Sequence, residues 1–151
     1  MDNGTSPGPT IVVGVDGSDS SVVALRWAAR QARLAGAALS VVAAWDYPEH
    51  PTPFGIVPDL PASFDPVDAT RQALDALVEN VLGADPGIDV RCTVMHGAPA
   101  PVLLDAAKAA QLLVVGGRGR RSLTGALLGS VSRHCVTHAP CPVAVIRGSG
   151  S

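Results

Sequence analysis

Apolar residues in this chain come in short unbroken runs that alternate with amphipathic stretches. Residues 11–15 form the first run and stop at Asp16-Gly17-Ser18. Runs this short and this apolar suit strands buried on both faces of a parallel sheet. Ser18 or Asp19 can cap a helix over 20–35, with Leu25, Ala28, Ala29 and Ala32 on one face and Arg26, Arg30 and Arg33 on another. Gly36 ends it. A second strand follows over 38–45, and then a helix over 67–82 with Leu74, Leu77, Val78 and Val81 aligned. After a turn at Pro86-Gly87, residues 88–95 alternate, with Val90, Cys92 and Val94 on one side of a strand. Pro99 or Pro101 opens a helix to about 110, residues 112–115 form a fourth strand, and a helix over 130–138 stops at Pro140. Residues 142–147 form the last strand. The order β-α-β-α-β-α-β-α-β predicts an α/β domain with a doubly wound parallel sheet. Ligands of such sheets sit at the carboxyl ends of strands, near a switch in strand order. Asp16 and the segment after residue 115 both fall at such ends.

Composition narrows this picture. The 151 residues are 47% apolar but only 3% aromatic, so Val, Leu, Ala and Ile must fill the core. A formal net charge of −2 argues against general nucleic-acid binding. No apolar run reaches membrane-spanning length. Residues 1–9 lack the basic start and apolar stretch of an export signal and read as a disordered leader. Residues 148–151 read as a disordered tail, leaving a single domain over 10–147. Three cysteines without an export signal suggest a reduced, cytoplasmic setting. Six prolines, at 48, 51, 53, 58, 61 and 66, break the chain between the second strand and second helix. Trp45, Tyr47, Phe54 and Phe64 gather around this loop, either pinning it to the domain or forming a lid or partner surface.

The candidate chemistry lies near the carboxyl end. Gly116, Gly119, Gly129 and Ser130 follow the spacing Gly-x2-Gly-x9-Gly-Ser, between an apolar strand and a helix start. Glycines let backbone N–H groups approach an anion, and the helix start favours negative charge. Ser130 can cap that helix or donate to a phosphate oxygen. Arg118, Arg120 and Arg121 add cations in or beside the loop. The lysine of a P-loop is missing, as is the Gly-x-Gly-x-x-Gly of a nicotinamide site after the first strand. Asp16 serves as a helix cap, as a nucleotide or metal ligand, or as both. His134, Cys135, His138 and Cys141 carry the inventory of a zinc site. However, His134 and Cys135 are adjacent on a helix and point apart, so a buried cysteine and surface histidines are the expected arrangement. Cys92 reads as core. His50 and His96 lack the partners of a catalytic triad or carboxylate pair, so no catalytic residue is assigned. His96 falls at a strand's carboxyl end, where a place on the site's rim is expected.

The run 11–18, the complete glycine spacing and the ending 138–146 together make the chain resemble the universal stress proteins, in their ATP-binding branch, over 11–147. That resemblance implies a five-stranded Rossmann-like sheet of order 3-2-1-4-5, with ATP, accompanied by Mg²⁺, across the ends of strands one and four. Asp16 would face the ribose and any metal. Val13, on the same strand, belongs to the implied nucleotide set. The backbone near Ala44 would meet the adenine edge and Val115 would pack by the base or sugar. Gly116, Arg118, Gly119, Gly129, Ser130, Val131 and Ser132 would line the phosphate path. A homodimer through the last strand is also implied, and with it an ATP-binding stress-response regulator acting as a nucleotide-dependent dimeric switch with slow or no hydrolysis. A slow ATPase, or a binder of another adenine nucleotide such as cyclic AMP, stays open. The Ser-Gly-Gly-x-Asp-Ser loop of related pyrophosphatases is absent from the corresponding place, 14–18.

Overall fold

The middle strand of the sheet is the first in the chain. In the computed structural model, which describes residues 8–45, 65–118 and 128–147, β1 (Thr10–Gly14) pairs in parallel with β2 (Ala38–Trp45) on one side and β4 (Leu112–Gly116) on the other. The edges are β3 (Val90–His96) and β5 (Val143–Ile146), giving the order β3-β2-β1-β4-β5. The register aligns Val13 with Val41 and with Val114. Alternate side chains along β1 therefore enter opposite faces of the sheet.

Each face has its own core. Ile11, Val13, Leu39, Val41 and Val114 meet Leu25, Ala28, Ala29 and Ala32 of α1 (Asp19–Ala35) and Leu74 and Val78 of α2 (Pro66–Leu82). The three alanines let α1 lie close over β1. On the opposite face, Val12, Val42, Leu113 and Val115 meet Val102 and Leu103 of α3 (Pro99–Ala106) and Cys135 of α4 (Ser130–His138). Burying each leucine contributes roughly 1.5–3 kcal/mol, so two nearly aromatic-free layers are enough to hold the sheet. No helix among the described residues is long and apolar enough to cross a membrane.

Most element boundaries follow from local chemistry. Ser18, not Asp19, caps α1, accepting the Ser21 N–H at 3.3 Å, and Gly36 ends the helix in the left-handed region at φ 65°. α2 begins at Pro66, one residue before its predicted start. The Asp65 carboxylate accepts the Val67 N–H at 2.9 Å, and proline fits the first helical turn. β3 starts at Val90 rather than 88 and runs on to His96. α3 tightens after Ala106 into a 3-10 turn over Ala107–Ala109. Of the proline-rich segment, residues 46–64 lie outside the described residues.

Candidate functional site

The switch in strand order lies between β1 and β4. Their carboxyl ends open into a cleft enclosing about 560 Å³, part of it open to solvent. Gly14, Val15, Asp16, Ser18 and Ser21 line it from the β1–α1 corner, and Val42 and Ala44 from β2. Pro99 and Leu103 of α3 form an apolar wall. Val115, Gly116, Arg118, Val131 and Ser132 complete the opposite side.

The β1–α1 corner is held by hydroxyls. The Val15 N–H donates to the Val42 carbonyl at 3.0 Å, carrying the β1–β2 ladder one residue beyond the strand. Gly17 then takes a positive φ of 83°. The Asp16 Oδ1 accepts the Ser18 N–H at 2.9 Å, and the Ser21 hydroxyl donates to the Ser18 carbonyl at 2.9 Å. Asp16 thus braces the turn that leads into α1, whose cap is Ser18 rather than Asp16, and it also lines the cleft.

The β4 side is closed at its root. The Gly117 N–H donates to the Ile146 carbonyl at 2.8 Å, while the Gly117 carbonyl accepts the Gly129 N–H at 2.7 Å. The buried Ser132 hydroxyl lies 3.1 Å from that same carbonyl and 3.0 Å from the carbonyl of Gly129. The segment that leaves at Arg118 therefore returns beside its own starting point. The Ser20 hydroxyl donates to the Arg118 carbonyl and ties this root to α1. Gly116 is required by packing: a Cβ there would stand 2.5 Å from Ser20 Oγ and 2.8 Å from the Ser20 carbonyl carbon. Gly129 precedes α4 in extended conformation, and no side chain caps the helix. An uncapped first turn is suited to an anion.

Seven predicted residues meet at the cleft: Asp16, Ala44, Val115, Gly116, Arg118, Val131 and Ser132. Val13 does not reach it, because its side chain is wholly buried in the layer under α1. Gly129 and the exposed Ser130 stand at the entry to α4, outside the lining. Gly119, with Arg120 and Arg121, lies outside the described residues, as does His50. His96 packs against Trp45 with ring centroids 4.5 Å apart and is not part of the lining. Sequence reasoning missed Gly14, Val15, Ser18, Ser21, Val42, Pro99 and Leu103. Gly14, Val15 and Ser18 had a local signal as close neighbours of Asp16, and Val42 as the residue two before Ala44 on the same strand face.

Cys135 is fully buried, and burial pushes its thiol above the usual value. The Cys92 thiol is raised too, first by burial and then by Asp75, with Arg71 opposing. Among the described residues, no group of three or more His, Cys, Asp or Glu side chains is placed to hold a metal ion.

Compared with models of known families, residues 9–147 match that of the universal stress protein family. The chain belongs to this family. A universal stress protein of Mycobacterium tuberculosis is 34% identical over 146 residues, an alignment covering 90% of this chain and 47% of the relative. The chain thus spans about half the length of the curated relatives it matches. Among solved structures, a universal stress protein in complex with cAMP is 28% identical with a TM-score of 0.65, over 95% of this chain and 100% of that one. The universal stress protein from Archaeoglobus fulgidus in complex with dAMP is 25% identical with a TM-score of 0.64, over 93% and 99%. The sheet order of this universal stress protein is the one the sequence resemblance implied.

Proposed function

We propose that this chain binds an adenine nucleotide, ATP with Mg²⁺, in the cleft between β1 and β4, and acts as a nucleotide-dependent dimeric switch in a cytoplasmic stress response. The observation that carries this reading is the cleft itself. It joins an apolar wall (Val42, Ala44, Leu103, Val115) to a polar end holding Asp16, Ser18, Ser21 and Arg118. A base suits the first and a phosphorylated sugar the second. Arg118 supplies charge-assisted hydrogen bonds to phosphate, and the first turn of α4 supplies oriented N–H groups. Solved relatives in complex with cAMP and dAMP support the adenine class.

The residues fit Mg²⁺. This ion is usually held by one or two carboxylates together with phosphate oxygens and water, and Asp16 offers a carboxylate at the cleft wall. Among the described residues that line the cleft, Asp16 is the only acidic one, which supports slow or absent hydrolysis, since a fast ATPase positions its attacking water with a dedicated polar group. The dimer would form through β5, an edge strand whose inner neighbour is β4.

A second reading, a preference for a cyclic or monophosphate nucleotide, is favoured by the same two solved complexes. One experiment separates them: identification of co-purified nucleotide by mass spectrometry, then calorimetric titration with ATP, ADP and cyclic AMP, with and without Mg²⁺. Tightest binding of ATP, strengthened by Mg²⁺ and lost in Gly119→Val, supports the first reading. Tighter cyclic AMP binding, indifferent to Mg²⁺, supports the second. No binding of any of them overturns both. Identical hydrogen exchange around β4, α4 and β5 with and without ATP would sink the switch.

A further inference from the structure

On α4, His134 and His138 stand one helical turn apart, both exposed, with ring centroids 4.5 Å apart and planes tilted by 46°. We propose that these two imidazoles chelate a divalent transition ion of the Ni²⁺, Cu²⁺ or Zn²⁺ type, independently of the nucleotide cleft.

The separation suits one shared ion. Histidines at i and i+4 share one helix face, the spacing by which paired imidazoles hold a single ion, and ring centroids 4.5 Å apart keep the two rings side by side. Imidazole nitrogen favours these ions over Mg²⁺ or Ca²⁺. The pair lies in the last two turns of α4, where the helix's carbonyl end favours a cation. Nearby groups do not compete for the position. Cys135 is turned into the core, and the Thr137 hydroxyl donates to the Arg133 carbonyl at 2.9 Å. No third His, Cys, Asp or Glu among the described residues completes the set, so the remaining ligands would be water. An open site with two protein ligands exchanges its ion readily, which suits sensing or transient capture more than a structural role.

The test is calorimetric titration of the full chain with Ni²⁺, using wild type, His134→Gln, His138→Gln and, as a control, His96→Gln. One ion per chain is expected, with affinity about tenfold or more weaker in either α4 variant, since a chelate loses half its protein ligands. His96→Gln should bind as wild type. The two α4 positions are exposed, so circular dichroism should be unchanged in both variants. Equal binding in wild type and the α4 variants, or loss of binding in His96→Gln alone, overturns the site.

Discussion

The hydroxyl of Ser20, in the first turn of α1, donates to the backbone carbonyl of Arg118, just past the end of β4. Two segments 98 residues apart in sequence are joined there, each lining the cleft nearby. Removing the hydroxyl with Ser20→Ala should cost about 1 kcal/mol of stability. It should also weaken ATP binding severalfold, because the Arg118 backbone loses its anchor. Urea unfolding together with calorimetry would check both effects, and an unchanged affinity would mean that the anchor does not position the site.

The two cleft glycines should respond differently to alanine. At Gly116 the new Cβ meets the Ser20 backbone carbon at 2.8 Å, and backbone yields poorly. Gly116→Ala should therefore cost roughly 1–3 kcal/mol. At Gly14 the nearest atoms are the Leu103 methyls, at 2.6 and 2.8 Å. A leucine tip can rotate, so Gly14→Ala should be less destabilising. It should instead push Leu103 into the cleft and lower nucleotide affinity. Thermal melts and titrations of both variants would separate the effects.

The contrast also marks what could be read from the chain. The glycine spacing located the β4 end, and the short unbroken apolar runs located strands covered on both faces, because these signals are local. β2 and α4 fall at their expected ends, helped by Pro140 after α4. The packing reason for Gly116 was not legible, since Ser20 approaches it only after α1 folds back across the sheet. Leu103 was likewise read only as part of a helix, since its place in the wall depends on how α3 crosses β1. Val13 was assigned to the site with its strand, but the two-residue period of β1 turns it under α1 while Gly14 faces the cleft.

Arg118→Ala should separate phosphate recognition from base recognition. Its side chain is exposed at the cleft, and the bond from Ser20 uses only its carbonyl. ATP affinity should fall about fivefold to twentyfold while adenosine affinity stays the same. The wild-type advantage should shrink as salt is raised. An equal loss for ATP and adenosine would place Arg118 elsewhere in the recognition.

Ser132→Ala removes the hydroxyl between the carbonyls of Gly117 and Gly129. The Gly129 N–H still reaches Gly117, so the root of the loop should hold. The expected cost is about 1 kcal/mol, with faster hydrogen exchange at Gly129. An unchanged exchange rate would show that the backbone bond alone closes the root.

Alkaline stability should depend on Cys135. Burial raises its thiol above the ordinary 9.0 in the folded state only. Below about pH 9 both folded and unfolded chains keep this proton, so its contribution is constant. Above it the unfolded chain releases the proton first, and stability falls as pH rises toward the folded value. Unfolding curves between pH 8 and 10.5 should show a smaller decline for Cys135→Ala than for wild type. Parallel declines would show that other groups govern the alkaline limb.

Placing β4 beside β1 has a consequence for the order of events during synthesis. The corner at Asp16 leaves the ribosome before its partner surface at residues 115–118 and 131–132, which follows about a hundred residues later. Until β4 docks, the early half of the cleft has no opposite wall. Any ligand that needs both walls can engage only a chain whose central crossover is already in place, so occupancy of the cleft reports completion of the fold as well as the concentration of the ligand.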